Sequence, residues 1–382
     1  MDLTPTDSQR MLRESVARYV AENYDSAGRR KALQEPQGFS LHHWRNFAEL
    51  GWLGLPFAEE DGGFGGGPVE TGIVMEEFGR GAVAEPFLAT VLLGGAAIAA
   101  CGTAEQRQRL LPQIAQGDLH VSLAHYEKDP RHGIGAITTE ARREKNGWRL
   151  RGRKVAVLDA AIAVIHVVSA RVSDASKEAV ALFLVPHDID DLTRRDAARM
   201  GGGRISELGL DGVWLPDDAR LGGDGDMLPA ITRVIDCALA AMSAEAVGLM
   251  STVLDATIEY TKIRKQFGRP LAENQVIRHR LVDMYVACDE ARSMSLRAAL
   301  HAGDRSSDAV RAIAASGAKA KVGKSARHIA EEAVQLHGAM GVTDELDIGL
   351  YFKRLLAFET MFGGGDHHLR RHAAMLRQSE SA

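Results

Sequence analysis

Apolar residues recur every three or four positions at both ends of the chain and alternate with polar ones in its middle. Thr6 and Gln9 have the spacing of a capping box, and Met11, Leu12, Val16, Tyr19 and Val20 follow at helical intervals, which predicts a helix from about residue 6. A second apolar stretch, His43 to Leu53, ends at Gly54 to Pro56 and leads into the glycine cluster Asp61 to Gly67, a loop. Helical periodicity resumes over Thr71 to Phe78 and Phe87 to Ala100, and Thr103 with Gln106 repeats the capping box before Leu110 and Leu111. From His120 the period shortens. His120 to His125, Ile137 to Arg142, Trp148 to Val157, Val164 to Val172, Val180 to Val185 and Leu210 to Leu215 read as short strands. Asn146-Gly147 is expected to supply the positive φ values of a two-residue hairpin turn. Beyond Gly222 to Gly225 three helical stretches follow. One carries the stripe Val247, Met250, Leu254 and Ile258, the next carries Ile277, Leu281, Met284, Tyr285 and Cys288, and the third is alanine-rich from Val310 to Leu336.

This pattern predicts an α+β protein in three parts: an N-terminal α-helical domain (1–117), a middle antiparallel β domain (118–225) and a C-terminal four-helix bundle (226–382). The 382 residues suffice for a sizeable core, and 45% hydrophobic with 25% charged residues is an ordinary globular balance. A formal net charge of -5 recommends neither nucleic acid nor an anionic membrane as partner. Cys101, Cys237 and Cys288 are odd in number, far apart and set in apolar stretches, which speaks against a disulfide framework or a metal site. The N-terminus is polar and no apolar run approaches the roughly 20 residues of a membrane span, so the expectation is a cytoplasmic protein with no membrane.

Four segments carry a more specific message. Glu49 to Gly65 (ELGWLGLPFAEEDGGFG) is continued by Met75-Glu76-Glu77-Phe78-Gly79 and followed by Gly102 to Pro112 (GTAEQRQRLLP). Arg264-Lys265-Gln266-Phe267-Gly268 with Gln275 comes next, and then Gln335 to Gly341 (QLHGAMG). In this order they resemble the marker segments of the acyl-CoA dehydrogenase family. Tyr351 to Arg354 and Phe362 to Leu369 further resemble the small-subunit type of pimeloyl-CoA dehydrogenase.

The resemblance implies FAD as cofactor and α,β-desaturation of an acyl-CoA substrate. It also implies a homo- or heterotetramer with a related subunit, and electron-transfer flavoprotein or a similar acceptor. Carried over by position, Arg264 would meet the FAD pyrophosphate, Gln266 and Phe267 would lie along the nucleotide, and Gln275 would hydrogen-bond nearby. Gln335 and Gly338 of the partner chain would complete that site, the glycine admitting close backbone approach. The plainer alternatives are a solvated arginine and a glutamine at helix ends.

In such a reaction a carboxylate removes the Cα proton while hydride leaves Cβ for the flavin. The sequence departs from the family here. The usual glutamate position holds Phe362, followed by Gly363 to Asp366, and the alternative position aligns with Ala238. Asp366, Asp236 and Glu245 are the remaining candidate acids, each with a structural reading beside it; adjacent His367 and His368 lack the spacing of a metal pair. The family's flavin-facing loop corresponds to Ala124 to Pro130, and its ring-shielding tryptophan to Ala156. Two functions follow: an FAD-dependent acyl-CoA dehydrogenase-type enzyme, or a non-catalytic partner that completes a shared FAD site while another chain supplies the glutamate. A third is an offshoot that uses flavin for another oxidation or scarcely binds it.

Overall fold

The computed structural model describes residues 4–128, 133–174, 177–303, 306–343 and 346–380. The chain runs helix, strand, helix. The first helices are α1 (Asp7–Asn23), α2 (Ser26–Gln34), α3 (Leu41–Glu49), α4 (Pro68–Gly81), α5 (Ala96–Cys101) and α6 (Ala104–Ala115). Both expected capping boxes form. The Thr6 hydroxyl accepts from Gln9 N at 3.2 Å while Gln9 Oε1 accepts from Thr6 N at 3.0 Å, and Thr103 with Gln106 repeats the geometry ahead of α6. The apolar run before α5 winds as a π-helix over Leu88–Gly95.

The middle segment supplies β1 (Val121–Ala124), β2 (Glu140–Glu144), β3 (Gly147–Leu158), β4 (Ile165–Asp174), β5 (Lys177–Pro186), β6 (Leu192–Ala198), β7 (Arg204–Pro216) and β8 (Arg220–Leu221). They form one sheet in the order β6-β7-β3-β2-β4-β5-β8, with β1 on β4. Most pairings are antiparallel as expected, but β4 runs parallel to β1 and β2, so the sheet is mixed. The parity of the connections explains this: the hairpin after β2 sends β3 back, and β4 then points the way β2 does. Trp148, Leu150, Phe183, Leu208, Val213 and Leu215 anchor its core.

Two local expectations are corrected. Glu144 pairs with Gly147, so the turn residues are Lys145 and Asn146, and neither they nor Gly147 take positive φ. Gly147 is needed for another reason: a Cβ there would collide with the Leu215 carbonyl oxygen of β7. Strand β6 is absent from the sequence reading because every residue after Leu192 is exposed, leaving no alternation to detect.

The C-terminal helices are α7 (Leu228–Ile263), α8 (Gln275–Ala302), α9 (Asp308–His337), α10 (Ile348–Thr360) and α11 (Gly365–Glu380); the short strands β9 (Lys265–Gln266) and β10 (Arg269–Pro270) separate α7 from α8. Helix α9 packs against α8, α10 and α11 as the centre of a bundle. By length and composition alone α7 is apolar enough to cross a membrane, with a window mean hydropathy of 1.6. That window is 83% buried inside the protein, which makes α7 a core helix. Contacts divide the chain into two compact units, one of Met1–Lys31, Pro68–Val83 and Leu239–Ala382, the other of Ala32–Gly67 and Ala84–Ala238.

Candidate functional site

Helix α7 ends at Ile263, and Arg264 leads into a tight hairpin in which Gln266 pairs with Arg269. Phe267 (φ 52°) and Gly268 (φ 83°) occupy the left-handed region that a two-residue turn of this kind requires. The Arg264 backbone is tied twice, its N–H donating to Tyr260 O at 2.8 Å and its carbonyl accepting from Leu271 N at 2.9 Å. Its side chain stands in solvent and, among the described residues, pairs with no carboxylate. Gln266 and Phe267 are exposed beside it, and exposed Gln275 opens α8. At the far end of α9, Gln335 is exposed and Gly338 caps the helix at φ 61° and ψ -139°, with open space where a Cβ would stand. Conformation, not crowding, requires glycine at that position.

These two segments meet within one chain. The Tyr260 ring stacks on His337 at 4.2 Å between centroids, tilted by 27°, and its hydroxyl donates to the His337 carbonyl at 3.3 Å. Within one protomer this contact links the segment that ends in Arg264 to the one that carries Gln335 and Gly338. A guanidinium without a carboxylate partner, beside amide side chains and a glycine-opened backbone, suits a pyrophosphate. The chain fits the phosphate end of a dinucleotide.

The turn where the usual base would sit keeps its shape without a carboxylate. Phe362 lies at φ 57° and Gly363 at φ 105°. Buried Lys319 donates to Glu359 O at 3.0 Å and Gly363 O at 3.1 Å, and its ammonium lies 4.6 Å from the Phe358 ring centroid. Burial pushes that ammonium down to about 8. On the other flank His368 Nε2–H donates to Phe362 O at 3.0 Å, and burial holds its imidazole down at about 3. His368 is thus a clamp on the turn. Lys319 was missed by the sequence reading, although a lysine among the alanines of α9 is the kind of break in periodicity that marks it.

The weaker acid candidates are engaged elsewhere or lie in solvent. Asp366 is exposed in the first turn of α11, where a carboxylate suits the helix dipole. Ala238 is 2% exposed and Asp236 is fully buried. Glu245 accepts from Arg354 at 2.6 Å, and Arg354 also donates to Val83 O at 2.7 Å, so that acid belongs to a structural ion pair.

The loop expected to face flavin is turned inward as far as it is described; Asp129 and Pro130 lie outside the described residues. Lys154 Nζ donates to Glu127 Oε1 at 2.7 Å, His125 O at 3.2 Å and Ser169 Oγ at 3.1 Å. Glu127 also accepts from the backbone N–H and hydroxyl of Thr138 and Thr139, and these bonds with Lys154 hold its carboxyl down at about 2. Ala156 is exposed at φ 55° within a β-bulge of β3. At the described positions that the resemblance assigns to the flavin ring the chain carries Glu127 and Ala156, and at those it assigns to the phosphates it carries Arg264 and Gln335.

Models described as acyl-CoA dehydrogenase N-terminal, middle and C-terminal domains match residues 6–118, 124–213 and 229–376. Acyl-CoA dehydrogenase FadE12 of Mycobacterium tuberculosis is 30% identical over 348 residues, covering 90% of this chain and 89% of that protein. The ChsE4-ChsE5 complex from Mycobacterium tuberculosis superposes with a TM-score of 0.89 at 26% identity, covering 99% of each chain. PigA, solved as an FAD complex, shares the fold with a TM-score of 0.90 at 21% identity over 99% of this chain and 100% of its own.

Proposed function

The chain belongs to the acyl-CoA dehydrogenase family, and from that premise we propose that it is one subunit of a two-chain, FAD-dependent acyl-CoA dehydrogenase whose other, related chain supplies the glutamate base. The observation that carries this is Phe362. Its turn is clamped on both sides by Lys319 and His368, as a turn built to present a side chain, yet the side chain cannot accept a proton. A second observation agrees: the phosphate-end residues are exposed and Arg264 has no carboxylate partner among the described residues, whereas Ala156 and the inward Glu127 leave the ring end unfurnished. The name of the ChsE4-ChsE5 complex, which pairs two chains, supports a heteromer of this kind.

When bound, FAD would accept hydride from Cβ of an acyl thioester. The residues of this chain would hold its pyrophosphate through Arg264, bracket the nucleotide with Gln266, Phe267 and Gln275, and bring the Gly338 backbone close. The proton at Cα falls to the partner's carboxylate, and electrons pass on to electron-transfer flavoprotein or a similar acceptor. Tyr351 and Arg354, part of the likeness to the pimeloyl-CoA type, are packing residues here, since Tyr351 donates to Arg80 O and Arg354 pairs with Glu245. The proposed substrate class is accordingly an acyl-CoA thioester, and a dicarboxylic acyl group is supported by sequence likeness alone.

Expression of the chain alone and together with a related chain that carries glutamate at the position of Phe362 tests the proposal. Flavin absorbance and turnover of acyl-CoA with an artificial acceptor are measured. Turnover confined to the pair is expected; turnover by the chain alone at the rate of the pair would refute it.

A further inference from the structure

We infer that Tyr260 and His337 are positioning residues, whose stacked rings hold the Arg264 hairpin and the Gln335 to Gly338 turn in the arrangement that grips a pyrophosphate; this rests on the FAD reading above. The two residues are 77 positions apart, yet each lies beside a gripping segment. Tyr260 is one helical turn before Arg264 and accepts that residue's N–H, while His337 sits between Gln335 and Gly338. Ring stacking at 4.2 Å and the hydroxyl bond to the His337 carbonyl at 3.3 Å therefore join the segments directly.

The orientation of His337 is itself fixed. Its Nδ1–H donates to Ala333 O at 2.8 Å, which leaves Nε2 without a hydrogen, and burial lowers its basicity so that the ring stays neutral.

The gripping side chains Arg264, Gln266, Phe267, Gln275 and Gln335 are exposed, so burial does not order them. Behind the pair lies a cavity of about 520 Å³, lined by Tyr260 and His337 together with Tyr24, Thr252, Val253 and Tyr351.

The test uses the flavin-bearing assembly, stripped of flavin and titrated with FAD, with the thermal midpoint of the stripped protein followed in parallel. Tyr260→Phe keeps the ring and should bind FAD within about threefold of wild type, because only one hydroxyl bond is lost. Tyr260→Leu and His337→Leu keep apolar volume but lose the stack. Each should weaken FAD by about tenfold or more at a nearly unchanged midpoint, and the double variant should be no worse than either alone. Wild-type affinity in both leucine variants, or strictly additive losses, would overturn the inference. Arg264→Ala serves as reference: if it too binds normally, the FAD reading fails with the inference, whereas its loss beside normal leucine variants removes the positioning role alone.

Discussion

Lys154 Nζ lies 2.7 Å from Glu127 Oε1, with side-chain exposures of 0% and 8%. The pair is not symmetric. Without Lys154, Glu127 keeps the amides and hydroxyls of Thr138 and Thr139 as donors; without Glu127, the ammonium keeps, among the described residues, only His125 O and Ser169 Oγ. Glu127→Ala should therefore cost more, about 3 to 5 kcal/mol, because it strands a buried cation. Lys154→Met should cost about 1 to 3 kcal/mol. Urea midpoints followed by Trp148 fluorescence give the order, and a reversed order would reject this account of the loop.

Burial holds His120, His125 and His166 neutral, each pushed down to about 4. Below pH 6.5 the unfolded chain binds protons there that the native chain does not, so stability is fully present above about 6.5 and is lost as pH falls toward 4. Each imidazole contributes on the order of 3 kcal/mol over that window. His120 gives a specific check: its ring stacks on Trp44 at 5.0 Å, and its Nε2 has no hydrogen-bond partner among the described residues. His120→Phe should keep the stack and flatten the fall of thermal midpoint between pH 6.5 and 4.5. An unchanged slope would mean that this imidazole is protonated in the native protein.

Features were legible in the sequence where a few neighbouring residues fix them. The capping boxes at Thr6 and Thr103 depend on side chains three residues apart, and both form. What the sequence hid was set by distant partners. Strand β6 is held by β7 and presents only exposed residues after Leu192, so no period betrays it. The span-length apolar character of α7 was masked because Arg233, Asp236 and Glu245 interrupt any simple apolar run. The motif residues Arg264 and Gln335 were visible as letters, while the Tyr260 to His337 stack beside them is a tertiary contact with no local signature.

Arg264→Ala should lower the flavin content of the purified assembly by about tenfold or more, since a bidentate guanidinium is the natural partner of two phosphate oxygens. The side chain is exposed and, among the described residues, makes no ion pair, so the thermal midpoint of the flavin-free protein should not move. Arg264→Lys should recover only part of the loss, because an ammonium offers charge without the planar fork. Absorbance of the flavin bands per protein decides the matter, and full occupancy in Arg264→Ala would remove Arg264 from the site.

The family-like segment Met75 to Gly79 has a packing reason that yields opposite signs for two glycines of one helix. A Cβ on Gly79 of α4 would collide with the Glu245 carbonyl oxygen of α7, and one on Gly248 of α7 would collide with the Glu76 carbonyl oxygen of α4. The two helices thus touch backbone to backbone through reciprocal glycines, and neither obstacle is a flexible side-chain end. Gly79→Ala or Gly248→Ala must push the helices apart, at a net cost of about 1 to 3 kcal/mol even after the helix-propensity gain of alanine. Gly72, also in α4, is different: the nearest atoms to its Cβ would be the Ala244 and Ala299 Cβ atoms at 3.9 Å, an ordinary contact. Gly72→Ala should therefore stabilise by up to about 1 kcal/mol, by removing backbone freedom from the unfolded chain. Thermal midpoints of the three single variants should fall, fall and rise; a rise in all three would show that α4 and α7 are not in backbone contact at these glycines.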